Sequence, residues 1–372
     1  MIYLDNAATT QPLFAALERA ESFNEASFFN PSALYRGGLR VRDEVEKARS
    51  FLLSRFPSGY EAIFTSCGSE GDNTAVFSFA KRGNAVTTAG EHLAIYESFK
   101  ALSQRGVEPR FAKLNSDGSV NEESLLSLVD EKTTLVSVVH VNNETGAIND
   151  IDRLAEIVKK KNPSVIFHSD GVQAFGKLPY APTPRIDAYT VSAHKIGGLK
   201  GTGALVFGKK LNLTPLIYGG GQENGRRSGT ENVFGIVVFR EAMKTRFATI
   251  REDYARIAET KRKFIARLNR DNIRVLSGEN SSAYLISLSA EGLRGEVIQH
   301  MMEDHDIVIG TGSACSSRHR HSRILTECGY SPAVLDGALR ISFCADTKED
   351  DALLAADKLN ECVAKLKGIM KK

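Results

Sequence analysis

The sequence has few cysteines, and none of them is spaced as paired structural cysteines are. The five cysteines are an odd number, lie far apart and form no Cys-x-x-Cys pair. A disulfide framework and a structural zinc site are therefore excluded, and we expect no metal in the protein. Such cysteine usage is typical of a chain that works in a reducing compartment, so we expect a cytoplasmic protein.

The sequence also lacks long apolar runs and a surplus of either charge. No apolar run reaches about 18 residues, and the N-terminus has no basic segment followed by an apolar core, so neither a membrane span nor a secretory signal is predicted. With 48 basic and 45 acidic residues, the net charge of +3 gives no reason to expect direct nucleic-acid binding. The 10 prolines and 42% apolar residues indicate a globular chain.

What the sequence does contain is a regular alternation of short apolar runs and amphipathic stretches between residues 60 and 208. This alternation is typical of βαβ units that build a mostly parallel sheet. After about residue 232 the pattern changes to long helical stretches with a few strands, which predicts a smaller α+β domain. The strands predicted for the first region are 62–65, 84–88, 134–141, 164–169, 188–193 and 203–208.

Polar side chains follow several of these predicted strands directly. In an open α/β sheet the ligand lies beyond the carboxyl ends of the strands, so these side chains are candidates for one site. His92, Asp170 and Lys195 each follow a different strand, and a turn of small residues at 66–71 opens a helix whose free N-H groups can hold a phosphate. A lysine, an acid, a histidine and a phosphate-binding turn are the parts that a pyridoxal phosphate site requires.

Each residue type suits a task in that chemistry. The Lys195 amine forms an imine with the cofactor aldehyde and then moves the Cα proton of the substrate. Asp170 keeps the ring nitrogen protonated, so that the ring accepts electrons. His92 is placed to stack on the ring, and Gln173 to hydrogen-bond its phenolic oxygen. Taken singly, such residues are more often caps, surface charges or satisfied polar groups, and only the combination favours the site.

With these residues in view, the sequence resembles the cysteine desulfurases of the class V aminotransferase family over essentially the whole chain. The resemblance implies an α/β pyridoxal phosphate enzyme of fold type I, with a mostly parallel seven-stranded sheet between helices in a large domain at 13–245. A smaller α+β domain is implied at 1–12 and 246–372. The motifs that carry the resemblance are YLDNAATT (3–10), NPSALYRGG (30–38), FTSCGSEGDN (64–73), GEHLAI (90–95), HVNNETGAI (140–148), FHSDGVQAFGKLP (167–179), SAHKIGGLKGTGAL (192–205), GGGQENGRRSGTEN (219–232) and GSACSS (312–317).

Matched position by position, the family motifs imply a role for individual residues. Lys195 matches the Schiff-base lysine, and His92 matches the ring-stacking partner and proton shuttle. Arg340 matches the arginine that clamps the substrate carboxylate, a task that suits its planar fork of donors. Asn143 matches a residue near the phenolic oxygen and the substrate carboxylate. The other implied cofactor-binding positions are Asp170 and Gln173 at the ring, and Gly68, Ser69, Ser192 and His194 around the phosphate.

The stretch GSACSSRHRH at 312–321 surrounds Cys315 with small and basic residues, and such surroundings favour a reactive thiolate. The resemblance implies that Cys315 takes the sulfur of L-cysteine as a persulfide and leaves L-alanine. A loop at about 311–323 then carries the sulfur to an acceptor or scaffold protein, with iron–sulfur cluster assembly as the implied destination. The basic run at 318–321 favours the thiolate, docks an acidic acceptor or is simply solvated, and these explanations stay open.

The family also implies a homodimer, in which Thr230 of the RSGT motif contacts the phosphate in the partner's site. Three features depart from the family's usual pattern. Tyr35 stands where histidine is usual, Cys67 opens a Cys-Gly-Ser in place of Gly-Ala-Thr, and the stretch after Cys315 is basic where long-loop members carry an acidic, proline-containing stretch.

Several alternatives remain open from the sequence. A selenocysteine lyase or a cysteine sulfinate desulfinase would use the same cofactor site on a related substrate. A plain aminotransferase would have no need of Cys315. A sulfur-transfer scaffold without turnover is an alternative of a different class, although the catalytic positions are intact.

Overall fold

The computed structural model describes residues 1–311 and 321–370. Its strands are β1 (Ile2–Leu4), β2 (Tyr60–Thr65), β3 (Asn84–Thr88), β4 (Glu108–Ala112), β5 (Thr133–Ser137), β6 (Ile166–Asp170), β7 (Ala188–Ser192), β8 (Gly203–Gly208), β9 (Arg274–Val275), β10 (Leu285–Ser289), β11 (Ile307–Thr311) and β12 (Ala338–Ser342). Its helices are α1 (Phe14–Ala26), α2 (Arg36–Leu53), α3 (Gly68–Phe79), α4 (Leu93–Leu102), α5 (Glu122–Leu128), α6 (Ile151–Lys161), α7 (Val233–Ala248), α8 (Ile250–Arg267), α9 (Gly295–Glu303), α10 (Arg323–Glu327), α11 (Pro332–Asp336) and α12 (Glu349–Met370). None of these helices is long and apolar enough to cross a membrane.

Seven strands form one sheet in the order β2-β8-β7-β6-β5-β3-β4. From β4 to β7 neighbouring strands run parallel, whereas β8 pairs antiparallel with both β7 and β2. Successive residues of one strand pack into different hydrophobic clusters, Leu135 in one and Val136 in the other. Both faces of the sheet are therefore buried, as in parallel sheets covered by helices, and the predicted fold class is confirmed.

A second sheet of five strands has the order β1-β11-β12-β10-β9. Strand β1 pairs parallel with β11, and the other pairs are antiparallel. Its hydrophobic cluster joins Leu4, near the N-terminus, to Phe264 of α8, Ile298 of α9 and Leu359 of α12. The N-terminal strand is thus part of the core of the smaller unit, while the exact domain boundaries stay a prediction.

The structure differs from the sequence pattern at two strands. The pattern does not predict β4, because its sequence EPRFA carries charges and a proline, which a sheet tolerates at an edge strand such as this one. The apolar run at 134–141 forms β5 only as far as Ser137. Beyond that point the backbone still bonds to β6, since Val138 N donates to His168 O at 3.1 Å and His140 N donates to Asp170 O at 2.9 Å.

Residues 5–10 connect the two sheets. The Asn6 side-chain nitrogen donates to Ser342 O at 2.9 Å, at the end of β12. A few residues later, Thr10 N donates to His194 O at 2.8 Å, just after β7. This segment therefore passes beside the carboxyl ends of the large sheet.

Candidate active site

A cavity of about 270 Å³ lies where the large sheet, the segment 5–10 and β12 meet. Its wall includes residues at the carboxyl ends of β6 and β7 and at the start of α3, which is the place expected for a ligand of an open α/β sheet. The predicted site residues that line it are Gly68, Ser69, His92, Asn143, Asp170, Gln173, Ser192, His194, Lys195 and Arg340.

Lys195 ends the 3₁₀ turn Ala193–Lys195 that follows β7. Its Nζ donates to the carbonyl oxygens of Ala7 at 2.6 Å and Ala8 at 2.8 Å. Those carbonyl groups belong to the segment between the sheets, so that segment holds the amine in the cavity wall. A primary amine in such a place can act as a nucleophile towards an aldehyde and as a proton carrier.

Three further titratable side chains of the cavity wall, Asp72, His92 and Asp170, lie close together. Each contributes one ligand-type atom, and these three atoms lie within 4.8 Å of one another. His92 begins α4, and its Nδ1 accepts a hydrogen bond from Ala94 N at 3.2 Å. The neutral imidazole therefore carries its proton on Nε2, the nitrogen that remains available to the cavity. Asp170 accepts from Val172 N at 2.9 Å.

The charges of these three side chains depend on their burial and on the groups beside them. Burial raises the pKa of Asp170, but His92, the Val172 N-H and Lys195 oppose that rise. Burial and the adjacent charge of Asp170 together raise the pKa of Asp72 well above its ordinary value. Burial lowers the pKa of His92, with Asp170 opposing. Because the pKa of Asp72 is raised well above its ordinary value, whereas Lys195 and the Val172 N-H favour an ionised Asp170, we assign the negative charge to Asp170 and regard Asp72 as neutral.

Glu91 adds a further buried carboxyl directly before His92. Its Oε1 accepts from Thr88 Oγ1 at 2.7 Å and from Val139 N at 3.0 Å, whereas Oε2 has no hydrogen-bond partner within the described residues. Burial raises the pKa of Glu91 to about 8, so the side chain is uncharged near neutral pH. Neither Asp72 nor Glu91 is among the residues predicted from the sequence, although Asp72 lies within the motif at 64–73 and Glu91 within the motif at 90–95.

The start of α3 and the end of β7 form a polar cradle. Gly68 lies so close to its surroundings that an added Cβ would come within 2.9 Å of Val172. Ser192 Oγ is buried and has no hydrogen-bond partner in the described part of the chain. His194 bonds through Nδ1 to Thr9 Oγ1 at 3.1 Å, and burial followed by the charge of Lys195 lowers its pKa to about 4.

These observations fit pyridoxal phosphate. The first N-H groups of α3 have no partner inside the helix, and together with the unpaired Ser192 hydroxyl they offer donors to a phosphate. The ionised Asp170 is suited to a protonated ring nitrogen, and the Lys195 amine to the cofactor aldehyde. The residues present therefore match both ends of the cofactor.

Arg340 lies on β12 and reaches the cavity from the smaller unit. Its Nη2 donates to Asp5 Oδ1 at 2.8 Å and its Nη1 to Asn143 O at 3.0 Å, while Nε has no partner among the described residues. Asn143 Oδ1 is likewise buried and unpaired within the part of the chain that the structure describes. The guanidinium is thus fixed in place by Asp5. Asp5 lies within the motif at 3–10, but the sequence did not predict a role for it.

The residues that follow the predicted cysteine loop are anchored near the same wall. The Arg323 guanidinium bonds to the carbonyl oxygens of Ala89 and Glu91 and lies 3.8 Å from the ring centre of Tyr96. Ser322 donates to Glu144, whose pKa is raised by burial. The end of the predicted loop at 321–323 is therefore attached to the β3–α4 turn beside His92.

The other predicted residues are not among the described residues that line the cavity, with the exception of Cys67. Cys315 and the basic residues Arg318, His319 and Arg320 fall outside the described residues, whereas His321 bonds to Asp336 at 2.8 Å. Thr230 is exposed and does not line the cavity of its own chain. Of the two departures from the usual motifs that the structure describes, Tyr35 is exposed and Cys67 lines the cavity.

The chain is similar to a known family and to known proteins over nearly its whole length. The family model for aminotransferase class-V matches residues 2–353. A protein described as a NifS/IcsS protein homolog from Lactobacillus delbrueckii is 34% identical, covering 98% of this chain and 99% of that protein. A protein named cysteine desulfurase IscS from Dictyoglomus turgidum is 32% identical, covering 99% of this chain and 96% of that protein.

Solved structures of NifS-like proteins also match nearly the whole chain. A structure titled NifS-like protein superposes with a TM-score of 0.91 at 32% identity, and covers 98% of this chain and 99% of that chain. The X-ray structure of a NifS-like protein from Rickettsia africae superposes with a TM-score of 0.87 at 28% identity, over 97% of this chain and 99% of that chain.

Proposed function

This chain belongs to the class V aminotransferase family and is a cysteine desulfurase that depends on pyridoxal phosphate, and we propose that it carries the released sulfur on Cys315. The observation that supports the site most directly is the single cavity that unites Lys195, Asp170, His92 and Arg340. These residues come from three strand ends of the large sheet and one strand of the small sheet.

The residues of the cavity divide the reaction between them. When bound, pyridoxal phosphate supplies the electron sink that stabilises negative charge on the substrate carbon next to the amino group. Arg340 binds the carboxylate of L-cysteine and so orients the substrate. Lys195 removes the proton from that carbon and returns it later, and His92 moves a proton through Nε2. Asp170 keeps a proton on the ring nitrogen.

The sulfur step falls to Cys315. Its thiolate attacks the sulfur of the bound cysteine, and the bond between that sulfur and the β-carbon breaks. The electron pair of the broken bond stays on the carbon, which takes a proton to give L-alanine. The sulfur remains on Cys315 as a persulfide, ready for an acceptor thiol.

We also propose that the working form is a homodimer in which Thr230 completes the phosphate site of the partner. Large apolar side chains are exposed on this chain, among them Phe28 at 75% and Leu34 at 83%, and such surfaces are typical of protein interfaces. Thr230 is exposed and away from the cavity of its own chain, as a residue that serves the partner's site would be. Sedimentation equilibrium should give twice the mass of 40.6 kDa, and a monomer would contradict the proposal.

The destination of the sulfur is proposed to be an acceptor or scaffold protein for iron–sulfur cluster assembly, in the cytoplasm. The four described cysteines are free thiols, which supports a reducing compartment. The family resemblance supports the acceptor.

The test uses two matched alanine variants. The purified protein is incubated with L-cysteine, and L-alanine and protein persulfide are quantified by mass spectrometry. We expect Cys315→Ala to lose both products. Cys328→Ala should retain them, because burial raises the pKa of the Cys328 thiol to about 12 and makes it unreactive. Continued turnover of cysteine by Cys315→Ala would refute the persulfide role, and a protein that takes up no pyridoxal phosphate would refute the enzyme function.

A further inference from the structure

A buried lysine lies directly behind the cavity. Lys177 is only 6% exposed and belongs to the turns that follow β6. Its Nζ donates to the side-chain oxygen of Gln173 at 2.8 Å, and Gln173 itself lines the cavity. The lysine thus reaches the cavity through the amide of Gln173.

This contact determines which way the Gln173 amide faces. When protonated, the Lys177 amine has three donors and no acceptor, so it meets the oxygen of the amide and not its nitrogen; the Ala7 carbonyl, which can only accept, requires the same orientation. The amide nitrogen then donates one of its two hydrogens to Ala7 O at 2.8 Å. A flipped amide would place nitrogen against the ammonium and oxygen against the Ala7 carbonyl, and both contacts would be repulsive. The second N-H of Gln173 is therefore left for the cavity.

The position is costly for a lysine. Burial, the nearby cations Lys195 and Arg340, and Arg246 all lower the pKa of Lys177, which falls to about 7, and the nearby thiol of Cys344 opposes them. A buried cation normally requires a carboxylate or several hydrogen bonds. The hydrogen-bond partner that the structure records here is a neutral amide. A methionine would fill about the same space without that cost.

We propose that Lys177 is a positioning residue that fixes the Gln173 carboxamide, so that a side-chain N-H of Gln173 is presented to the phenolic oxygen of pyridoxal phosphate. The phenolic oxygen is an acceptor, so only this orientation of the amide stabilises it. The inference rests on the proposed cofactor site. It adds a residue that touches neither substrate nor cofactor.

A double-mutant cycle tests whether Lys177 acts through Gln173. The dissociation constant of pyridoxal phosphate is measured by titrating the cofactor-free protein, in the wild type, Lys177→Met, Gln173→Ala and the double variant. We expect Lys177→Met to weaken cofactor binding about fivefold to tenfold in the wild-type background, the effect of losing one well-oriented hydrogen bond. In the Gln173→Ala background the same change should weaken binding less than about twofold.

A spectroscopic readout accompanies the titration. Because the N-H of Gln173 stabilises the ionised phenolic oxygen, the midpoint of the pH-dependent absorbance change of the bound cofactor should move to higher pH in Lys177→Met. The matched control is Lys261→Met, a half-buried lysine that donates to Ser281 and Ser282 in a different part of the chain. We expect this control to leave cofactor affinity and absorbance unchanged.

The outcomes separate the inference from the proposed function. An unchanged affinity in Lys177→Met, or an equal loss in both backgrounds, would overturn the positioning role. If the wild type itself binds no pyridoxal phosphate, the cofactor site is wrong and the inference falls with it. If Lys177→Met does not fold, the same cycle is measured with Lys177→Gln, and a large loss of affinity that persists without Gln173 overturns the proposal.

Discussion

The acidic and the basic groups of the cavity, here called its acid end (Asp72 and Asp170, with Glu91 behind them) and its basic end (Lys195 and Arg340), are bonded differently to their surroundings. At the acid end, Asp72 and Asp170 are buried, as is Glu91 in the turn before His92, and one oxygen each of Asp72 and Glu91 has no hydrogen-bond partner in the described part of the chain. At the other end, Lys195 bonds to two carbonyl oxygens and Arg340 to Asp5. Asp72 and Glu91 thus each keep one carboxyl oxygen without a partner, whereas Lys195 and Arg340 are both bonded to oxygen acceptors.

This difference matches what each end has to do. A buried carboxylate without a counter-ion binds a protonated ring nitrogen strongly, because desolvation has already been completed during folding. A lysine that must exchange partners during turnover is better held by neutral carbonyl oxygens, as Lys195 is, than by a carboxylate. We therefore expect turnover to be sensitive to loss of the negative charge at the acid end. At the basic end, we expect it to be sensitive to loss of the amine of Lys195 or of the guanidinium of Arg340.

Removing the amine at the basic end should have the largest effect. In Lys195→Ala the group that transfers the substrate proton is lost, and turnover of L-cysteine should fall by about 10³-fold or more. The measurement is the rate of L-alanine formation. Lys200→Ala, which alters an exposed lysine nearby, should keep the wild-type rate. Similar rates in the two variants would contradict the assigned role of Lys195.

Removing the negative charge at the acid end should have the second-largest effect on turnover. Asp170→Asn leaves the ring nitrogen without a charged partner, and turnover should fall about 10²-fold. Asp72→Asn makes the same change at a carboxyl that is already neutral, so the rate should fall by less than about threefold. Equal losses in the two variants would show that we have assigned the negative charge to the wrong carboxyl. Both rates are measured at saturating L-cysteine.

A milder change at the basic end should separate binding from chemistry. Arg340→Lys keeps the charge but loses the planar fork, so KM for L-cysteine should rise about tenfold while kcat changes less. Arg294→Lys, an exposed arginine on the smaller unit, serves as the control. A fall in kcat with an unchanged KM would argue against carboxylate binding by Arg340.

The smallest effect is expected on stability and concerns Glu91. Its pKa is about 8 in the folded protein against an ordinary value of 4.5, so only the unfolded chain ionises between these pH values. The folded state therefore loses stability as the pH rises through this window. In Glu91→Gln that loss should be absent. The difference between the Tm of the variant and that of the wild type should therefore rise in favour of the variant from about pH 5 to about pH 8. Parallel curves would contradict a buried, protonated Glu91.

That Asp170 and Lys195 lie in one cavity could be predicted, because both follow a rule about position. Asp170 and Lys195 stand at or just after the ends of strands, and the carboxyl ends of parallel strands meet at one edge of a sheet. The contact between Asp5 and Arg340 was not predictable, because it joins residues 335 positions apart and depends on tertiary packing. Asp72 lies on a helix and Glu91 in a turn, where acids are ordinarily solvated. Their burial was visible only in the folded structure.

The pairing of the N-terminus with the last strands of the smaller unit has a consequence for the order in which the protein matures. Residues 2–4 pair with 307–309, and Ala7 N donates to Ser342 Oγ at 2.8 Å. While the chain is being synthesised, the ribosome must finish residue 342 before the first residues can settle in place. The nascent chain can therefore form most of the large sheet early, yet the part of the cavity wall that Arg340 and residues 5–10 contribute can be completed only after residue 342 has been made.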